Sequence, residues 1–333
     1  MKVNYIILAH KEPRQLSRLV SRLLSDDIHC YIHLDSKCAI EGFMDTLPES
    51  ESVIYIKDRK SCRWGDMSIV DAIIACYREI VRRQDIGFCV LLSGQDYPLR
   101  SPEYIKAFFA LHQHHNFINI YPIPDPQKKS ENGGLERLVS YTFDCCNPSN
   151  PRMKAKIQPL SLRLKTLVGF LRLAVYRREL LPLALRLYFK TRQYPQGLAM
   201  CFNEAWTAFN YPTVVKLLDI IDSHPEYSEY YQFTHIPDET MFGAIMCANR
   251  ELSQSILPMC HYINWTGGRK GSPKTLQRAD YPEIKKIMTD NSSIMFARKF
   301  GNDTHILNLI DEDIRISKTD NRDREKRINH CLG

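Results

Sequence analysis

Three polar side chains stand where apolar runs end: His10 after Val3–Ala9, Asp35 after Cys30–Leu34, and Asp96 shortly after Phe88–Leu92. An imidazole and two carboxylates can take up protons or hydrogen-bond to hydroxyls, and a histidine can also contact phosphate. Ligands of parallel α/β sheets bind beyond the carboxyl ends of the strands, so the three positions point to one cleft. Two further pairs carry more charge. Asp238-Glu239 follows Pro237 at the start of a helical pattern. A carboxylate there is either a general base aimed into a cleft or a partner of the helix dipole. Arg298-Lys299 is framed by Ile294-Met295-Phe296 and Phe300. The two cations either grip an anion or form a solvated basic turn, and the apolar flanks argue that buried neighbours hold the pair.

Familiar nucleotide signatures are missing. No G-x-G-x-x-G follows the first strand and no G-x-x-x-x-G-K-[ST] occurs, so dinucleotide and P-loop chemistry lose their main support. The sole Asp-x-Asp spelling, Asp311-Glu312-Asp313, falls in a helical stretch near the C-terminus and reads as surface charge, not as a metal site. The 11 cysteines form no C-x-x-C pair and several sit in apolar runs, as reduced buried thiols do.

The elements that must position these groups alternate. Apolar runs at Val3–Ala9, Cys30–Leu34, Val53–Ile56, Phe88–Leu92 and Phe117–Ile120 read as strands. Between them lie helical patterns from Pro13, from Ser68 to about Arg82, and from the capping Ser101. This order predicts a mainly parallel central sheet flanked by helices. Further on, Gly197–Phe202, His261–Trp265 and Ser293–Phe300 read as strands, and Asn203–Asp222, Glu239–Ala248 and Tyr281–Thr289 as helices. The 333 residues, 44% apolar and 25% charged, suit a single unit. Its expected parts are a first half over 1–125, a second half over 126–303, and a C-terminal helix or tail over 304–333. Neither a signal peptide nor a spanning helix is expected, which predicts a cytoplasmic protein.

Eight motifs in order resemble the core-2/I-branching β-1,6-N-acetylglucosaminyltransferase family, glycosyltransferase family 14, which includes peptide O-xylosyltransferases. They are ILAHK (7–11), YIHLDSK (31–37), RWGDMSIVDA (63–72), LLSGQDYPL (91–99), IPDET (236–240), INWTGG (263–268), SPKTL (272–276) and FARKF (296–300). The resemblance implies a GT-A-like α/β fold, inversion at the anomeric carbon, a UDP-sugar donor, no metal and no other cofactor. It implies N-acetylglucosamine as the sugar, with xylose or another sugar as the alternative. Glu239 matches the family's catalytic base, and Arg298 and Lys299 its diphosphate-binding pair, with Lys274 as a third cation. Asp35 matches the nucleoside-binding H-x-D motif, and Trp64 the aromatic residue over uracil or else a core anchor. His10 contacts phosphate or caps its strand, and Asp96 touches donor hydroxyls or stabilises its turn. Trp265 matches the family's acceptor-side tryptophan, and Glu136 is a further acceptor-binding candidate. A catalytically inactive, membrane-attached glycan- or nucleotide-binding protein is the competing function.

The charge is uneven. Residues 152–192 hold eleven Lys/Arg against the single acid Glu179, a net +10, and the rest of the chain sums to −3. Leu160 to Phe189 is leucine-rich and interleaved with arginine, so this basic helical insertion either lies on an anionic membrane or packs on the core. A saccharide or lipid-linked glycan on the cytoplasmic face is then the expected acceptor. Nucleic acid is not an expected partner, because aromatic interleaving and a recognised motif are both missing.

Overall fold

In the computed structural model, residues 1–125, 131–147, 149–150, 152–266, 272–301 and 303–316 are described. The central sheet has seven strands. From one edge they run Ile256–Leu257, Asn116–Phe117, Ala208–Asn210, Gly87–Ser93, Lys2–Ala9, Ile28–Leu34 and Val53–Tyr55. Only Ala208–Asn210 is antiparallel to its neighbours; the other pairings are parallel. The α/β class and the mainly parallel sheet expected from the sequence are those observed.

Strand geometry explains the layering. Successive side chains point to opposite faces, so Val3, Tyr5 and Ile7 join one buried cluster with the Pro13–Leu23 helix residues Leu16, Leu19 and Val20. Ile6 points the other way, into a cluster with Val70, Ile73 and Tyr77 of the Met67–Arg82 helix. Both faces are covered, and ligand access is left at the strand ends.

The stretch Asn203–Asp222, expected as one helix, is divided. Cys201–Asn203 and Ala208–Asn210 are strands, and the helix is Tyr211–Ser223. Asn210 caps it by accepting the Thr213 N–H at 2.9 Å, and Pro212 sits in its first turn, where a missing N–H costs nothing. Phe117–Ile120, expected as one strand, is split into Asn116–Phe117 in the central sheet and Ile120–Pro122, which pairs with Cys201–Asn203.

The basic insertion is not wholly helical. Lys154–Ile157 is a strand pairing with Tyr141–Asp144, followed by helices Leu164–Tyr176 and Leu181–Tyr188. Phe143, Ala155, Ile157, Leu173 and Ala184 form a small core of their own. Arg192 is enclosed by Tyr141 and Tyr230, and its guanidinium donates to Tyr230 O and Thr234 Oγ1, both at 2.7 Å.

Residues 304–316 are helical, and 317–333 of the expected tail lie outside the described residues. Asp311, read as surface charge, is instead largely buried. It accepts from Arg18 and Arg22 at 2.7 Å and from the Tyr97 hydroxyl at 2.9 Å, which ties the C-terminal helix to the Pro13–Leu23 helix and to the Asp96–Pro98 strand.

Candidate active site

A cavity of about 590 Å³ opens beyond the carboxyl ends of Lys2–Ala9, Ile28–Leu34 and Gly87–Ser93. It is large enough for a nucleotide-sized ligand. Its wall unites His10, Asp35, Trp64, Glu239, Trp265, Arg298 and Lys299, seven of the ten residues singled out from sequence.

One end of the cavity is built on strand termini. Asp35 is buried and accepts the Lys37 N–H at 2.9 Å. Arg59 donates to the carbonyls of Leu34 and Asp35 at 3.0 and 2.8 Å, which fixes the turn that presents this carboxylate. His10 is exposed at the rim. Trp64 leads into Gly65, whose φ of +70° favours glycine. The Ile236 N–H bonds Gly65 O at 3.2 Å, so this turn and the Pro237–Glu239 turn are built as one unit. The His235 ring meets Trp64 edge-on at 5.6 Å, and the Arg152 guanidinium lies 4.7 Å from the indole centroid.

Glu239 sits in a single 3-10 turn ahead of the Met241–Ala248 helix. Asn203 clamps that turn, donating to Asp238 O and accepting the Gly243 N–H, both at 3.1 Å. The Glu239 carboxylate is partly open and receives Arg137 Nη1 at 2.8 Å. Beside it, Asp238 Oδ1 is enclosed and has no hydrogen-bond partner among the described residues. That enclosure, with the neighbouring Glu239 charge, pushes the Asp238 carboxyl up to about 7. The pair therefore offers one open carboxylate beside one enclosed acid that titrates near neutrality.

Arg298 lies on the Phe296–Arg298 strand, directly opposite Asp96. Its guanidinium stacks 3.5 Å from the centroid of Trp206, and its Nε lies 3.6 Å from Asp96 Oδ1. Burial lowers the Arg298 pKa, while Asp96 and Glu204 act to raise it. Its Nε and Nη1 are enclosed and donate to no atom of the described residues, and the guanidinium reaches the cavity wall as a largely buried cation. Lys299 Nζ donates to Ser272 Oγ at 2.8 Å on the same wall.

Three expected residues are not on this wall. Lys274 Nζ pairs with Asp280 Oδ1 at 2.5 Å, and Asp280 belongs to the capping box that opens the next helix. Lys274 is thereby held by a structural carboxylate. Asp96 is fully buried behind Arg298 and accepts the Ser93 N–H, so it backs the cation and does not face the cavity. Glu136 begins the short Glu136–Val139 helix, and its neighbour Arg137 is the residue that reaches the wall.

Sequence reasoning missed Trp206, Arg137, Arg152 and Asn203 as parts of the site. Trp206 was absorbed into a helix reading, although the Asn210-Tyr211-Pro212 cap signal places it in the preceding loop. Among the described residues, no cluster of three His, Cys, Asp or Glu could hold a metal ion.

The fold and cavity define an α/β protein with a pocket at the ends of parallel strands, lined by Arg298 and Lys299. Residues 3–144 match the family model described as Core-2/I-Branching enzyme. Over that segment the chain is similar to this glycosyltransferase family, in agreement with the motifs. A xylosyltransferase of Ciona intestinalis is 21% identical over 90% of this chain and 32% of its own length. Xylosyltransferase 2 of Mus musculus is 20% identical over 93% of this chain and 33% of its own. Xylosyltransferase 1 of Homo sapiens is 23% identical over 41% of this chain and 15% of its own. The chain thus spans a third or less of the length of these relatives. The crystal structure of mannose-1-phosphate geranyltransferase from Thermus thermophilus superposes over 73% of this chain and 72% of that one, at 11% identity and a TM-score of 0.28.

Proposed function

We propose that this chain is an inverting, metal-independent glycosyltransferase that moves a sugar from a UDP donor to a hydroxyl of a saccharide or lipid-linked acceptor. One observation carries the reading: Glu239, Arg298 and Lys299 line a single cavity. In a single displacement, Glu239 takes the proton of the acceptor hydroxyl as its oxygen bonds to the anomeric carbon. The bond from that carbon to the diphosphate breaks, and UDP departs with the electron pair. Arg298 and Lys299 meet the charge gathering on the diphosphate, the work a divalent cation does elsewhere. Arg137 holds the Glu239 carboxylate in place, Asp35 and Trp64 receive the nucleoside, and Trp265 offers an indole face to the acceptor sugar.

The motifs favour N-acetylglucosamine as the transferred sugar. UDP-xylose is the second reading, favoured by the names of the relatives. We place the enzyme in the cytoplasm as part of the same proposal. Its support is that described cysteines such as Cys30, Cys76, Cys89 and Cys260 are buried and free of disulfides, as a reducing compartment keeps them. The test is consumption of UDP-N-acetylglucosamine and UDP-xylose, each with and without chelator. Turnover that resists the chelator supports the proposal. Binding of both donors without turnover supports an inactive binding protein, and turnover abolished by chelator contradicts metal independence.

A further inference from the structure

The insertion carries a surface that the proposed chemistry leaves unused. The Leu164–Tyr176 helix has two apolar faces. One, with Thr166, Gly169 and Leu173, is buried against the Lys154–Ile157 strand, so closely that a Cβ on Gly169 would fall 2.4 Å from Lys156 O. On the opposite side Leu164, Leu167, Leu171 and Val175 are between 52% and 74% exposed. At 3.6 residues per turn these four lie within an arc of about 80°, roughly opposite Leu173. Leu160 and Leu162 are exposed just before the helix. Leu160 N–H bonds Tyr188 O at 3.0 Å, which brings exposed Phe189 to the same end.

Cations flank the stripe. Arg163, Lys165, Arg172, Arg178, Arg186 and Lys190 are all exposed. The single acid of residues 152–192, Glu179, is held by Arg177 at 2.5 Å. Lys154 pairs with Asp144 and Arg192 is enclosed by tyrosines, so the basic charge facing outward is smaller than the count from sequence but of one sign.

We propose that this face docks on an anionic lipid bilayer, with the leucine stripe among the acyl chains and the flanking cations at the headgroups. A contiguous exposed apolar stripe needs a cover, and apolar side chains bordered by Lys and Arg suit an interface of hydrocarbon and negative charge. A second copy of the chain is disfavoured, since it would set these cations against their own images. Nucleic acid is disfavoured because leucines offer no stacking platform. Among the described residues no helix is long and apolar enough to cross a membrane, so the docking is peripheral. The insertion also supplies Arg152 to the cavity wall. The consequence that the acceptor is membrane-borne rests on the proposed chemistry, whereas the docking itself does not.

The experiment is flotation of the full chain with phosphatidylcholine vesicles and with vesicles rich in phosphatidylglycerol, at low and high salt. The protein is expected to float with the anionic vesicles at low salt, about tenfold more than with phosphatidylcholine alone, and to be released by salt. Leu167→Glu with Leu171→Glu, two solvent-facing positions, is expected to cut flotation about tenfold. Circular dichroism and UDP binding should stay unchanged. A wild-type chain that floats with neither vesicle overturns the proposal, as does a double variant that floats like wild type. A dimer seen by light scattering and dissolved by the same substitutions also overturns it, by showing that a second copy covers the face. Flotation reads no sugar transfer, so its failure leaves the chemistry standing, and a floating but inactive chain leaves the surface standing.

Discussion

Arg298 faces Asp96 across an antiparallel strand pair, its Nε 3.6 Å from a carboxylate that is fully buried. The carboxylate sits behind the cation and Trp206 lies flat against it at 3.5 Å, so the guanidinium is held on two sides. Removing one partner of a buried pair typically costs about 3–5 kcal/mol. Asp96→Asn keeps the shape but leaves Arg298 without its counter-charge. It is expected to lower unfolding free energy by roughly that amount, as urea denaturation would show. A midpoint equal to wild type would mean that Asp96 does not support the cation.

Planarity matters as much as charge at this position. Arg298→Lys keeps the charge but loses the flat stack on Trp206 and the fork of donors. Hydrogen bonds to charged groups contribute about 1.5–3 kcal/mol each. Arg298→Ala is therefore expected to weaken UDP binding by about ten- to a hundredfold in calorimetry, and Arg298→Lys to recover only part of it. Full recovery by lysine would show that charge alone is enough.

Two of the three tryptophans on the wall, Trp64 and Trp265, are expected to separate. Trp64→Ala should weaken UDP, since stacking on a base contributes about 1–3 kcal/mol, and should leave the acceptor KM unchanged. Trp265→Ala, at a half-exposed indole, should raise the acceptor KM and leave UDP binding intact. Steady-state kinetics paired with UDP titration would test this, and the reverse pattern would exchange the two ends of the cavity.

Asp238 makes stability depend on pH. Its carboxyl stands at about 7 in the folded chain, against an ordinary 3.8. Between those values the folded state holds a proton that the unfolded state releases, so this group's contribution to stability falls as pH rises from about 4 to 7. Asp238→Asn removes that slope. Urea unfolding of both proteins across this range should show the variant gaining on wild type as pH rises. Parallel curves would place the Asp238 carboxyl near its ordinary value.

Much of the architecture was readable because buried strands announce themselves as apolar runs with polar residues at the ends. Val3–Ala9 before His10 and Cys30–Leu34 before Asp35 show this, and the cavity lies where those ends meet. The stretch after Asn203 was misread because a three-residue strand such as Ala208–Asn210 carries too few residues to show an alternating period. Lys274 was misplaced for a different reason. A lysine in a basic motif looks the same whether its partner is a ligand or a carboxylate such as Asp280, six residues on, and the pairing depends on how the chain turns. Arg137 left no periodic mark, and only folding brings it to Glu239 across about a hundred residues of chain.

The most direct test of the account is Glu239→Gln, assayed for both UDP binding and sugar transfer. The amide keeps the side chain's shape but cannot take a proton. UDP should bind as it does to wild type, while transfer falls by about 10²–10⁴-fold, the usual contribution of a general base. Transfer at the wild-type rate would contradict the account.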